Sequence, residues 1–336
     1  MEKDQTPRFS LKLAVLNEGL AKVRRYSFLA VGIPYLLIHY SFGTLMASQV
    51  VLVGILCTLS LVNKKTREFA LFLLPIVMTI LIYDGMKYFS HIISANTHVI
   101  EPYLLEKNFF GFLHSGALVT PNEFFQKYTH TLLDLICGSA YILYIFEFIA
   151  FACLLYFSSH RPLGKAAVWS FFLVNMMGYL TYYFYPAAPP WYVSQFGLTT
   201  TADLSTLPSA AGALRFDQLL ERPIMANIYA NGSIVFGSIP SLHVTYPLLA
   251  ALFAFKAKKF RIATTLFYLL VAFSAVYLNH HYITDVIIGS LYAVLAVEII
   301  GFFAVAQTPA EPASTPCQSM NSCAENGGPG QAERAT

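Results

Sequence analysis

Apolar residues in this chain come in runs close to 20 residues long, and such runs restrict what the chain can fold into. At 1.5 Å per helical residue, about 20 residues cross a hydrocarbon core roughly 30 Å thick. Within that layer a helix satisfies its own backbone polar groups. Eight runs read as spans: 26–43, 45–62, 69–88, 132–157, 166–185, 241–255, 262–279 and 283–306. Composition agrees, since 56% of the 336 residues are hydrophobic and 12% are charged, too few solvated groups to cover a soluble domain. The fold expected is all-α, a polytopic membrane protein with about eight transmembrane helices.

Charge placement predicts the orientation. Sixteen of the 21 Lys and Arg residues fall in the N-terminal segment 1–25, in the connections around Lys64, Arg161 and Lys256, or in the C-terminal tail, which places both termini in the cytoplasm. The two long connections, 89–131 and 186–240, then face the extracytoplasmic or lumenal side. Seven of the nine histidines lie on or near that side. Segment 1–25 is basic and lacks an apolar stretch ending in a small-residue cleavage site, so it does not read as a removable signal peptide. Residues 307–336, rich in Pro, Ser, Gly and Ala, read as a disordered cytoplasmic tail. The five cysteines form no CxxC pair, and His91, His98, His114 and His130 have no metal-ligand spacing; no metal and no cofactor is implied.

Two short stretches carry the chemistry. GSIPSLHV, Gly237 to Val244, puts His243 in the first turn of the sixth span, and NHHYITDVIIG, Asn279 to Gly289, joins spans seven and eight. Antiparallel connectivity brings both to one membrane face. His281 and Asp285 are four residues apart and share a face if a helix begins near Tyr282. A carboxylate that accepts from one imidazole nitrogen fixes the tautomer and frees the other nitrogen as nucleophile or base. A single His-x-x-x-Asp match is expected by chance about 0.16 times in this composition, so the conjunction with His243 carries the argument. Two histidines and an oriented carboxylate suit phosphoryl transfer without a metal: one imidazole attacks phosphorus while the other protonates the leaving oxygen.

PSLH at 240–243 and His281 with Asp285 resemble the second and third motifs of the type 2 phosphatidic acid phosphatase superfamily, PSGH and SRxxxxxHxxxD. The resemblance implies His281 as nucleophile, Asp285 as its orienter and His243 as acid and base, within a catalytic six-helix bundle over residues 69–306 to which the two helices of 26–68 are an addition. The sequence departs from that pattern at Leu242, where the motif has Gly, and at Ala275, where it has Arg. Losing that Arg removes a bidentate phosphate clamp, which a singly charged phosphodiester tolerates better than a phosphomonoester.

VFGSIPSLH, HHYITD, YFYPAAPPWY and GALRFDQLL together are similar to the aureobasidin-sensitive inositol phosphorylceramide synthase branch. That likeness implies transfer of inositol phosphate from phosphatidylinositol to a ceramide hydroxyl. Open alternatives are a lipid phosphatase or phosphodiesterase using water, and a non-catalytic lipid carrier or transporter.

Further residues are candidates for binding substrate. Arg215 opens a stretch that fits K-x6-RP with Arg222 and Pro223, so one of these two arginines is expected to attract phosphate. Trp191, after prolines that stop the fifth span near Tyr185, is expected to wall a lipid entrance or anchor at the interface. Ser241 and His280 flank the motif histidines, and Asp84, like Asp134, either meets head-group hydroxyls or sits in the interface. Glu147 and Glu298 lie deeper and call for a partner or a proton. The segment Glu101 to Lys127 reads as interfacial helix.

Overall fold

The computed structural model describes residues 6–89, 97–198 and 208–306. The tail 307–336, with Cys317 and Cys323, and His91 lie outside them. Each apolar run is helical: α1 (Thr6–Ser41), α2 (Ala47–Val62) and α3 (Lys64–Met86) come first. The segment expected to be interfacial helix is instead α4 (Ile100–Phe110), a hairpin of β1 (Phe112–His114) and β2 (Ala117–Val119), and α5 (Pro121–Lys127). Gly116, at φ +81°, makes the tight turn that closes this hairpin. Then follow α6 (Thr131–Phe157), α7 (Arg161–Phe184), the short α8 (Pro190–Phe196), α9 (Leu214–Leu220) and α10 (Ile224–Ala230). The chain ends with α11 (Leu242–Ala257), α12 (Arg261–Tyr277) and α13 (Ile283–Ala306).

The protein is an all-α polytopic membrane fold, but length and hydropathy do not by themselves give eight crossings. Four helices are long and apolar enough to span: Lys64–Phe89, Thr131–Phe157, Arg161–Phe184 and Ile283–Phe303. The helices at 47–62, 242–257 and 261–277 are apolar but shorter. At 16 residues α11 is about 24 Å long, less than a typical hydrocarbon core. It is enclosed by protein, packing on α6, α7, α12 and α13 at once.

That enclosure follows from small side chains. Ala250, Ala251, Ala254 and Ala257 on α11 are buried, as are Ala293 and Ala296 on α13. Small residues let helix backbones approach where lipid supplies no hydrophobic drive. The closest approach is at Gly289, where an added Cβ would strike the Ser241 carbonyl. There the Thr245 hydroxyl bonds the Gly289 carbonyl at 3.1 Å and the Ser241 carbonyl at 2.7 Å. Phe148, Phe171 and Leu249 fill the adjoining core.

Helices α1 and α2 pack on α3, which packs on α7. Asp84 belongs to that attachment: its Oδ2 accepts from the Tyr35 hydroxyl (2.6 Å) and Gln49 Nε2 (3.0 Å). Glu298 lies 3.8 Å from Lys256, with 71% of its side chain exposed. Glu147 Oε2 is buried with no hydrogen-bond partner among the described residues.

Gly289→Ala is expected to cost roughly 1–3 kcal/mol by overpacking α11 against α13. Gly301→Ala is the control: the same helix, with nothing within 4 Å of the added carbon. Melting of both variants in detergent should fall for the first and hold or rise for the second.

Candidate active site

The loop between α12 and α13 turns sharply because Asn279 adopts φ +63°, a conformation Asn tolerates better than most residues. The turn aims the amides of both His280 and His281 at the Ala275 carbonyl, each at 3.0 Å. Ala275 is fully buried beneath them, so the position where the related motif has Arg holds the loop by its backbone here. Leu242, at the other departure, packs its side chain on Gly178 of α7.

Across from this loop, a backbone ladder holds the chain leading into α11. Residue 98 pairs with 187 and 187 with 237, and the Ser241 amide donates to the Asp285 carbonyl at 3.0 Å. His243 Nδ1 consequently lies 3.1 Å from His281 Nε2. His281 Nδ1 is 3.0 Å from the Ser238 carbonyl and 3.5 Å from Asp285 Oδ2. The expected i,i+4 pairing is present, but the closer partner is a carbonyl the sequence did not single out. Asp285 is fully buried, and its Oδ2 accepts from the Ser238 hydroxyl (2.5 Å) and the Tyr282 amide (2.9 Å). With two acceptors at Nδ1, the proton of a neutral His281 resides there and Nε2 carries the lone pair. The bond between the two rings then runs from His243 Nδ1–H to His281 Nε2.

His243, His280, His281 and Trp191 line one cavity, together with Tyr229 and Ser238. Trp191 is itself buried, its amide bonded to the Asn279 carbonyl. Burial, then the charge of neighbouring His281, push the His280 pKa down to about 3. No Lys or Arg is among the described residues that line this cavity. The described residues hold no cluster of His, Cys, Asp and Glu able to bind a metal.

Three expected binding residues stand elsewhere. Arg215 donates to Asp134 (2.6 Å), Gln126 (3.2 Å) and the Tyr277 carbonyl (3.4 Å), so its guanidinium ties α6 to α12. The Tyr277 hydroxyl completes that knot by donating to Asp134 at 2.9 Å. Ser241 is wholly buried, its hydroxyl has no hydrogen-bond partner among the described residues, and it lies outside the cavity lining. Asp84 has no hydrogen bond to the histidine cluster; its described partners are Tyr35 and Gln49. Arg222 is exposed.

Sequence reading missed Ser238, Tyr229, Glu106 and Asn122. Ser238 sits inside the quoted octet, and its spacing from Asp285 gave no signal. Tyr229 reaches the cavity because Asp217 caps α10, accepting from the amides of Met225 (2.8 Å) and Ala226 (2.9 Å). Glu106 of α4 is fully buried and accepts from the amides of Ile283 (3.0 Å) and Thr284 (3.1 Å) and from the Thr284 hydroxyl (3.1 Å). It thus caps α13 from a distant segment, where a negative group is favoured by the helix dipole. Burial pushes its pKa up against those three hydrogen bonds. Asn122 of α5 holds the same loop, donating to the carbonyls of Val276 (3.1 Å) and His281 (3.0 Å).

Comparison with known proteins places this arrangement. Residues 115–299, more than half of the chain, match the PAP2 superfamily. The chain belongs to that superfamily. It is 32% identical over 254 residues to the phosphoinositol dihydroceramide synthase of Bacteroides thetaiotaomicron, covering 75% of this chain and 83% of that protein. It is 31% identical over 175 residues to the inositol phosphorylceramide synthase catalytic subunit of Schizosaccharomyces pombe, covering 51% of this chain and 40% of that one. A third relative, the inositol phosphorylceramide synthase of Candida albicans, is 31% identical over 173 residues, 51% of this chain and 36% of its own length. No solved structure matches the chain.

Removing the Glu106 cap is expected to cost roughly 1–3 kcal/mol, because buried amides at 283 and 284 lose their acceptor. Glu106→Gln, which keeps one acceptor oxygen, should lose less than Glu106→Ala. Denaturant titration of the purified protein in micelles gives the order.

Proposed function

We propose that this PAP2 superfamily member is an inositolphosphotransferase that moves inositol phosphate from phosphatidylinositol to the hydroxyl of a ceramide-type lipid. The observation that carries it is the His243–His281 pair, 3.1 Å apart, with the Nδ1 proton of His281 directed at a carbonyl and a carboxylate. That arrangement supports a lone pair on His281 Nε2 that the His243 N–H meets in the empty site and that a phosphate entering between the two rings would take over. The relatives' names support a lipid acceptor over water.

In the first step the His281 Nε2–P bond forms and the bond from phosphorus to the glycerol oxygen breaks. His243, doubly protonated once the anionic phosphodiester is bound, gives one of its protons to that oxygen, releasing diacylglycerol and becoming neutral. In the second step the ceramide hydroxyl gives its proton to His243 while its oxygen displaces His281 from phosphorus. Asp285 and Ser238 hold His281 in register through both steps and steady the charge it gains. A cavity whose described lining carries no Lys or Arg favours a phosphodiester with one negative charge over a dianionic monoester. The distribution of basic residues supports cytoplasmic termini and a site on the extracytoplasmic or lumenal face.

Incubating purified protein with inositol-labelled phosphatidylinositol, with and without ceramide, tests the reading. Label should appear in a new lipid only when ceramide is present; release of soluble inositol phosphate without ceramide would instead mean hydrolysis. His281→Ala should bring turnover to background, and His243→Ala should lower it roughly 10²–10⁴-fold. Full activity in His281→Ala would sink the mechanism.

A further inference from the structure

His280 stands apart from the catalytic pair yet faces the same cavity. Its ring is clamped between two tyrosines, Tyr229 at 4.6 Å and 14° and Tyr141 at 5.1 Å and 13°. Stacking on both faces fixes the ring plane and therefore the direction of its nitrogens. Only 4% of the residue is exposed, and its Nε2 has no hydrogen-bond partner among the described residues. A buried, unpartnered polar nitrogen is costly and calls for a reason. A neutral imidazole offers one donor and one acceptor, and a hydroxyl, which both donates and accepts, can pair with Nε2 in either tautomer.

We infer that His280 Nε2 is a hydroxyl-recognition point: it hydrogen-bonds a substrate hydroxyl entering the cavity beside His243 and His281. The inference rests on the transfer reaction proposed above, and it deepens that reading by giving the cavity a group that selects a hydroxyl-bearing lipid. The low pKa of the ring agrees, because a neutral His280 keeps its lone pair at physiological pH. Two lipids could bring the hydroxyl, the polyol head-group of the donor or the terminal alcohol of the acceptor. The chemistry at Nε2 is the same for both.

The test measures equilibrium binding by the full-length protein in mixed micelles, using two pairs of lipids. Phosphatidylinositol is compared with phosphatidylcyclohexanol, which keeps the ring and the phosphodiester and lacks the hydroxyls; ceramide is compared with 1-O-methylceramide. Wild type should discriminate within one pair by roughly tenfold, the worth of one well-placed neutral hydrogen bond. The pair that is discriminated identifies the source of the hydroxyl. His280→Phe, which keeps a flat ring between the tyrosines but has no acceptor, should reduce that ratio to about twofold or less, while His280→Gln should retain most of it. Full discrimination in His280→Phe would overturn the inference, as would equal losses in the Phe and Gln variants, which would mark a purely structural ring. Binding is read without turnover, so failure of the wild-type protein to transfer inositol phosphate would overturn the proposed reaction while the hydroxyl preference stays measurable.

Discussion

The site depends on one close contact, the start of α11 against the first turns of α13. Gly289 lets the backbones meet at Ser241, and the Ser241 amide is spent on the Asp285 carbonyl. From that contact the other distances follow. Ser238 reaches Asp285, its carbonyl reaches His281, and His243 arrives beside His281 with no loop left free to place it. Rigid backbone elements thus hold two imidazoles to hydrogen-bond distance, which positional catalysis demands.

The connections outside the bundle serve the same contact. Glu106 and Asn122 reach the loop before α13 from sequence positions more than 150 residues away, and each satisfies buried backbone groups there. Asp217 caps the short α10 that carries Tyr229, while Arg215 locks α6 to α12. The Arg215 cation is consumed in this scaffold. The polar side chains that line the cavity are imidazoles and hydroxyls, whose recognition is directional.

Much of this was legible in the sequence, for reasons that can be named. Helices were readable because runs near 20 residues have one solution in a bilayer, and the stop after Tyr185 because of its prolines. The His281–Asp285 pairing was readable because residues four apart on a helix share a face, and the nearness of His243 because antiparallel connectivity brings the start of α11 to the same end of the bundle. For Arg215, Asp84 and Ser241 the sequence shows a charge or a hydroxyl but not the partner that occupies it or the packing that buries it. Glu106 and Asn122 gave no signal at all: their work is done on backbone groups, which every residue carries. The hairpin within 112–119 was hidden by apolar residues that suit an interfacial helix as well as a short strand pair.

The two departures from the phosphatase motifs each have a physical account. At 275 the side chain is fully buried, and the carbonyl of that residue receives the amides of His280 and His281. A guanidinium at 275 would start from a buried position. At 242 the leucine side chain fills the space against Gly178 and thickens the seam between α7 and α11. The change at 275 removes a cation and the change at 242 adds apolar packing. A dianionic phosphomonoester placed in the cavity would keep part of its charge uncompensated in a medium of low dielectric, whereas a phosphodiester brings one charge, which a single protonated imidazole can meet. In the reaction proposed, substrate selection is then a matter of how little charge the site can neutralise, and of which hydroxyls its unpartnered nitrogen can meet.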